Sequence, residues 1–276
     1  MLRSNEAKLS RKQTKQQCSN RDLKVIPLVN TVRSSEFEFL PKPLPRPSPC
    51  RILVIGSCAS GKTNLIMNLI TRFWLDNDGD SIFDEIYVFA PSILQDKSFS
   101  PLKDFEDIVY ANNSLDTELI REIISREDDV RKLVYIDDFA NSPQIQGEIL
   151  HDLFFISRHS NTSVIFSSQY YYKVPIPIRC NASHLILFKP QSKKEMGLIR
   201  AELQTIDFPD KSFDEAYKMA TKEKYSFLYI DRFTEGKPTF YINFDTKIEP
   251  NNDDEEDDDE EEEKDEMEIE DEVEAA

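Results

Sequence analysis

Glycine, cysteine and histidine are all scarce in this chain. Its 276 residues include six glycines, four cysteines and three histidines. Cys18, Cys50, Cys58 and Cys180 form no C-x-x-C pair, which argues against a zinc ribbon or a disulfide scaffold and for an intracellular protein with free thiols. Three scattered histidines make no metal site. No apolar run approaches the roughly 20 residues that a membrane span requires. The N-terminus is basic but lacks an apolar core segment, so it is not expected to act as a secretory signal. No internal repeat is visible.

Charge is abundant and unevenly placed. There are 34 basic and 52 acidic residues, for a net charge of −18. Residues 251–276 hold 18 acids and one base, Lys264, so nearly all the excess lies in the tail. Residues 1–24 hold seven bases against two acids. A long like-charge block repels itself and buries little, so the tail is expected to be disordered. Residues 41–49, PKPLPRPSP, carry five prolines, which read as a stiff extended linker with order beginning near Cys50. The expected organisation is a basic, Pro-rich flexible segment over 1–49, one phosphate-loop domain over 50–248 and an acidic tail over 249–276.

Within the central region, short apolar runs alternate with amphipathic stretches. Strands are expected at 52–55, 86–90, 133–136, 163–167 and 185–188, with 227–230 and 240–242 closing the sheet. Helices are expected at 62–75, 116–126, 144–157, 193–204 and 212–222, with Pro143 in the first turn of the third. This alternation predicts an α/β fold with a mostly parallel sheet covered by helices on both faces.

Two of the six glycines fall in Gly56-Ser57-Cys58-Ala59-Ser60-Gly61-Lys62-Thr63, which matches G-x-x-x-x-G-K-[ST]. A buried strand precedes the motif and an amphipathic helix follows it, as a phosphate-binding loop requires. The glycines let the backbone turn its N–H groups toward phosphates, and the helix start adds partial positive charge. Lys62 is suited to the β- and γ-phosphates of ATP, and the Thr63 hydroxyl to Mg²⁺. Asn64 completes the nucleotide-binding run.

The third strand ends in Asp137-Asp138. A carboxylate at such a strand end binds Mg²⁺, the role expected of Asp137, while Asp138 is placed to polarise the attacking water. The fourth strand ends in Gln169, whose amide suits the γ-phosphate or that water. Such a role requires this strand to lie between the loop strand and the acidic strand, as in motor-type ATPases. Arg179 and Arg158 are both candidates for an arginine donated to a neighbouring subunit's γ-phosphate.

Together, GSCASGKTN, YIDDF and ISRHSNTSVIFSSQYYYKVPIPIRCNASHLILFK resemble the poxvirus-type genome-packaging ATPases of large DNA viruses and virophages, within the FtsK–HerA superfamily. The resemblance spans about residues 50–200. It implies a RecA-like core, a homo-oligomeric ring, and ATP-driven translocation of double-stranded DNA into a preformed capsid. Implied partners are the DNA and capsid or packaging-vertex proteins, and the implied location is the virus assembly site in an infected cell. Carried over, Gly56, Gly61, Lys62 and Thr63 bind nucleotide, Asp137 binds Mg²⁺, Gln169 matches the sensor, and Arg179 is the first choice for the arginine finger, with Arg158 second. Asp138 stands where relatives usually carry Glu.

The alternative is a P-loop small-molecule or nucleoside kinase, although 190–205 offers no clear arginine-rich lid. A GTPase is disfavoured because no N-K-x-D motif occurs, and an intact loop with Asp137-Asp138 argues against a decayed scaffold. Lys173, Lys189, Lys193, Lys194 and Arg200 are candidate DNA contacts. The acidic tail is either a solubilising appendage or a DNA mimic for the same basic path.

Overall fold

The computed structural model describes residues 37–47, 49–139, 142–203, 210–232 and 237–249. The chain divides into units Met1–Arg33 and Ser34–Ala276. The basic segment 1–24 and the acidic tail 251–276 lie outside the described residues.

Six strands run parallel: β1 (Arg51–Ile55), β2 (Glu85–Phe89), β3 (Val109–Asn112), β4 (Lys132–Asp137), β5 (Thr162–Ser168) and β6 (His184–Phe188). Three more, β7 (Phe227–Asp231), β8 (Thr239–Ile242) and β9 (Thr246–Ile248), extend one edge antiparallel. The order is β3-β2-β4-β5-β1-β6-β7-β8-β9. Thus β5, the strand leading to Gln169, lies between β1 and β4.

The helices are α1 (Lys62–Asn68), α2 (Thr117–Ser125), α3 (Glu148–Ile156), α4 (Ile176–Asn181), α5 (Lys193–Leu203) and α6 (Asp210–Ala220). The continuous apolar runs of β1, β4, β5 and β6 suit strands covered on both faces. Leu53 and Ile55 join Val134, Ile136, Val164 and Phe166 under the helices α2 to α6. Ile52 and Val54 point the other way, joining Tyr135 and Ile165 under Ile66 and Met67 of α1. Each fully buried Leu, Ile or Val contributes roughly 1.5–3 kcal/mol, and these two layers hold the strand ends in register.

Several expectations are corrected. Order does not begin at Cys50: Phe37, Leu40 and Leu44 are buried in the α1-side core, and the Trp74 indole donates to Pro45 O at 2.9 Å. Proline forbids a helix or central strand, yet an extended segment can still pack. The helix expected over 62–75 is α-helical only to Asn68. Leu69–Phe73 form a π turn, with Trp74 N–H donating to Leu69 O. Pro143 opens a short 3-10 turn, Pro143–Gln146, and α3 begins only after Gly147. Strands β3 and β9 and the 3-10 helix Lys97–Phe105 were not anticipated.

Candidate active site

The C-terminal ends of the parallel strands converge on one edge, where open α/β sheets place their ligands. Beyond β1, Gly56 N–H donates to Ser168 O at the end of β5, at 3.1 Å. A side chain at Gly56 has no room, since a Cβ would lie 2.5 Å from Ser60 Oγ and 2.8 Å from Phe188 Cβ. Gly61 has φ +105°, a conformation costly to any other residue, and it opens α1.

Lys62 is 8% exposed. Its ammonium donates to Gly56 O at 2.7 Å and Ser57 O at 3.1 Å. Burial pulls its pKa down, opposed by the charges of Asp137 and Asp138. Asp137 lies at the end of β4 on the α1 face and is 6% exposed. Burial raises its pKa, while the Ser167 hydroxyl bond and the Lys62 charge lower it. The Tyr135 hydroxyl lies beside Asp137, Ser167 and Thr63. The loop, Thr63 and the acidic strand end are therefore contiguous.

Asp138 has φ +54°, and its N–H donates to Ser167 O. Its carboxylate accepts a hydrogen bond from the Gln169 amide. The two residues that the sequence assigned to the attacking water are thus in direct contact across neighbouring strands. Gln169 O accepts from the Gln191 amide at 3.1 Å, and Gln191 N–H donates to Glu195 Oε2 at 3.3 Å. Glu195, buried in the first turn of α5, also accepts from Tyr171 N–H at 2.7 Å. These bonds tie Gln169 to α5.

Residues from the loop, Asp137, Asp138 and Gln169 line one cavity of about 550 Å³. Sequence reasoning missed its other walls: Ser92, Asp96 and Ser98 from the segment after β2, and Tyr225 ahead of β7. Pro91 marked the end of β2, and the convergence of strand ends would have pointed to that segment. No local signal marks Tyr225.

The two arginines are placed very differently. Arg179 is 6% exposed, within α4. It pairs with Glu202 at 3.0 Å and lies over the Tyr171 ring at 4.9 Å. The structure therefore counts against its expected presentation to a neighbour. Arg158 is exposed, between α3 and β5. The seven residues of β5 separate it from Gln169, about 23 Å of strand, so it is on the far edge from its own loop.

Of the basic residues considered for DNA, Lys189, Lys193 and Arg200 line one cavity of about 840 Å³ beside α5 and α6, joined there by Lys218 and Lys222. Its one acidic residue, Asp214, pairs with Arg200 at 3.1 Å. Lys173 instead sits over the Tyr170 ring, and Lys194 is exposed outside that cavity. The three described cysteines, Cys50, Cys58 and Cys180, are free thiols. Among the described residues, no helix is long and apolar enough to cross a membrane.

A phosphate loop, an acidic strand end and an inserted strand that leads to a glutamine in the same cavity define a P-loop ATPase with a mostly parallel sheet. The family model described as Poxvirus A32 protein matches residues 36–230. The chain belongs to that family, the viral genome-packaging ATPases. No curated protein matches it. Among solved structures, it is similar to B204, the DNA-packaging ATPase from Sulfolobus turreted icosahedral virus, at 15% identity and TM-score 0.52, covering 71% of this chain and 98% of that one. The genome packaging NTPase B204 from Sulfolobus turreted icosahedral virus 2, in complex with sulfate, shows 15% identity and TM-score 0.51, with coverage of 72% and 98%. At such identities the likeness speaks for the fold.

Proposed function

We propose that the protein is a motor that uses ATP hydrolysis to translocate double-stranded DNA into a preformed capsid. It works as a homo-oligomeric ring at the site of virion assembly, against capsid or packaging-vertex proteins. The observation that carries this reading is the position of β5 between β1 and β4, which sets Gln169 against Asp138 at the nucleotide cavity. No observation favours the kinase alternative.

The loop N–H groups of 56–61 receive the phosphates, and Lys62 exchanges its two loop carbonyls for the β- and γ-oxygens. Thr63 and Asp137 would hold Mg²⁺. They fit it because Asp137 is a buried carboxylate with only partial compensation, and Mg²⁺ needs one or two protein oxygens when phosphates supply others. When bound, Mg²⁺ supplies neutralisation of the phosphate charge. Asp138 orients a water and takes its proton as the water oxygen bonds to the γ-phosphorus and the bond to ADP breaks. The Gln169 amide, which donates to the Asp138 carboxylate, turns to the γ-phosphate and frees that carboxylate.

DNA contact falls to the basic cavity beside α5 and α6, through phosphates rather than bases. Displacement of α5 is transmitted through Glu195 and Gln191 to Gln169, which couples DNA to hydrolysis. Arg158 is the better placed of the two arginines for a neighbour's nucleotide, because it is exposed and remote from its own loop. Phosphate release should rise with double-stranded DNA of any sequence, and the rise should shrink with salt. A DNA-independent rate, with phosphate passed to a nucleoside, would instead support the kinase.

A further inference from the structure

We propose that the base of the bound nucleotide lies in an aromatic cavity on the α1 side of the phosphate loop, stacked between Tyr225 and Phe73. This inference rests on the reading of the loop as the ATP site.

A second cavity, of about 610 Å³, adjoins the phosphate cavity. The two share Gly61, Asn64, Ser98 and Tyr225, so a ligand anchored on the loop extends into the second without leaving the surface. No charged side chain lines this second cavity. Phe188 and Phe227 are both buried, with ring centroids 5.4 Å apart, and give it an apolar floor. Tyr225, 57% exposed, and Phe73, 37% exposed, stand at its walls. A flat heteroaromatic ring suits such walls, because base–aromatic stacking needs only a π face and exclusion of water.

The opposite flank of the loop differs. The cavity there, about 350 Å³, also touches Phe188 and Tyr225, but Lys189, Lys222, Glu223 and Lys224 line it as well, a charged surface that the α1-side cavity lacks. The contrast between the two flanks places the base on the α1 side.

Tyr225 is also held in an unusual way. Its φ of +70° lies in the left-handed region, where a bulky L-residue is rare and where strain collects at ligand sites. Its ring lies against the loop, since a Cβ built on Gly61 would meet Tyr225 Cδ1 at 3.3 Å. The Lys224 ammonium sits over the same ring, 4.7 Å from its centre, and so covers one π face, leaving the other as the face on which a base would stack.

The test uses the full-length chain, with steady-state ATP hydrolysis and inorganic tripolyphosphate as a competitive inhibitor that carries no base. Tyr225→Ala should raise KM for ATP roughly tenfold, within the range of one base stack removed, while kcat changes less than about twofold. The inhibition constant of tripolyphosphate should not move. Phe73→Ala should show the same split to a smaller degree, and Tyr225→Phe, which keeps the ring, should restore the wild-type KM. Equal weakening of ATP and tripolyphosphate in Tyr225→Ala would overturn the inference, because the ring would then act by shaping Gly61. Unchanged KM in both alanine variants would overturn it too. A wild-type chain that neither hydrolyses ATP nor binds tripolyphosphate would overturn the ATPase reading beneath it.

Discussion

Arg179→Ala separates a structural arginine from a catalytic one. The guanidinium is 6% exposed and pairs at 3.0 Å with Glu202, whose side chain is 28% exposed. It also covers the Tyr171 ring, and Tyr171 donates its hydroxyl to Glu202 at 2.9 Å. Removing one partner of a fully buried ion pair costs about 3–5 kcal/mol. Glu202 keeps partial access to water, so about 2–3 kcal/mol is the expected loss. For a domain of this size, each kcal/mol lowers Tm by about 2–4 °C, so calorimetry should find a Tm lower by roughly 5–10 °C. Arg158→Ala should leave stability within about 0.5 kcal/mol, as surface substitutions do, yet abolish hydrolysis in assembled rings. Mixing Arg158→Ala subunits with Lys62→Ala subunits should restore part of it, because some interfaces then pair a sound loop with a sound arginine. The reasoning fails if Arg179→Ala melts like the wild type, loses hydrolysis, and recovers it on mixing with Lys62→Ala. Arg179 would then act across the interface.

Lys62→Ala should abolish ATP hydrolysis with circular dichroism unchanged, since the hydrogen bonds of the ammonium go to the Gly56 and Ser57 carbonyls of the loop itself; wild-type turnover would refute its assigned role. Lys193→Ala with Lys218→Ala should weaken DNA binding at any sequence. For each DNA phosphate that the double variant no longer neutralises, the slope of log K against log salt should fall by about 0.9 in magnitude, and an unchanged slope would place the DNA elsewhere. His184 is buried beside Tyr229, and burial takes its pKa down to about 4 despite the charge of Asp231. The unfolded chain therefore binds the proton more readily. The stability that the neutral ring contributes is complete above about pH 6.5 and is lost as pH falls toward about 4. Thermal melts between pH 7.5 and 5 should show this decline, and His184→Gln should flatten it.

The fold was legible wherever a signal was local. The apolar runs of β1, β4, β5 and β6 and the helical spacing of α2, α5 and α6 appear within one or two residues of their expected bounds. Strand β3, Val-Tyr-Ala-Asn, is too short and too exposed to carry a periodic pattern. The Pro-rich segment misled because composition reports backbone freedom, whereas burial of Leu40 and Leu44 depends on an apolar surface built by distant residues. The phosphate loop, Asp137, Asp138 and Gln169 sit next to strand ends and were readable for that reason. The burial of Arg179 was not legible because its partner Glu202 lies on another helix, and nothing near Pro177 announces that pairing. Tyr225 enters the site only through packing against Gly61, a contact between segments far apart in the chain.

Strand displacement from a DNA triplex tests the central claim most directly, because it reads movement along the duplex rather than hydrolysis alone. A labelled third strand is annealed to double-stranded DNA, and its release is followed after adding protein and ATP with Mg²⁺. The account predicts ATP-dependent release by the wild-type chain that is independent of the flanking sequence, falls with salt, and is absent in Lys62→Ala. ATP hydrolysis at full rate on the same DNA with the third strand left in place would contradict it.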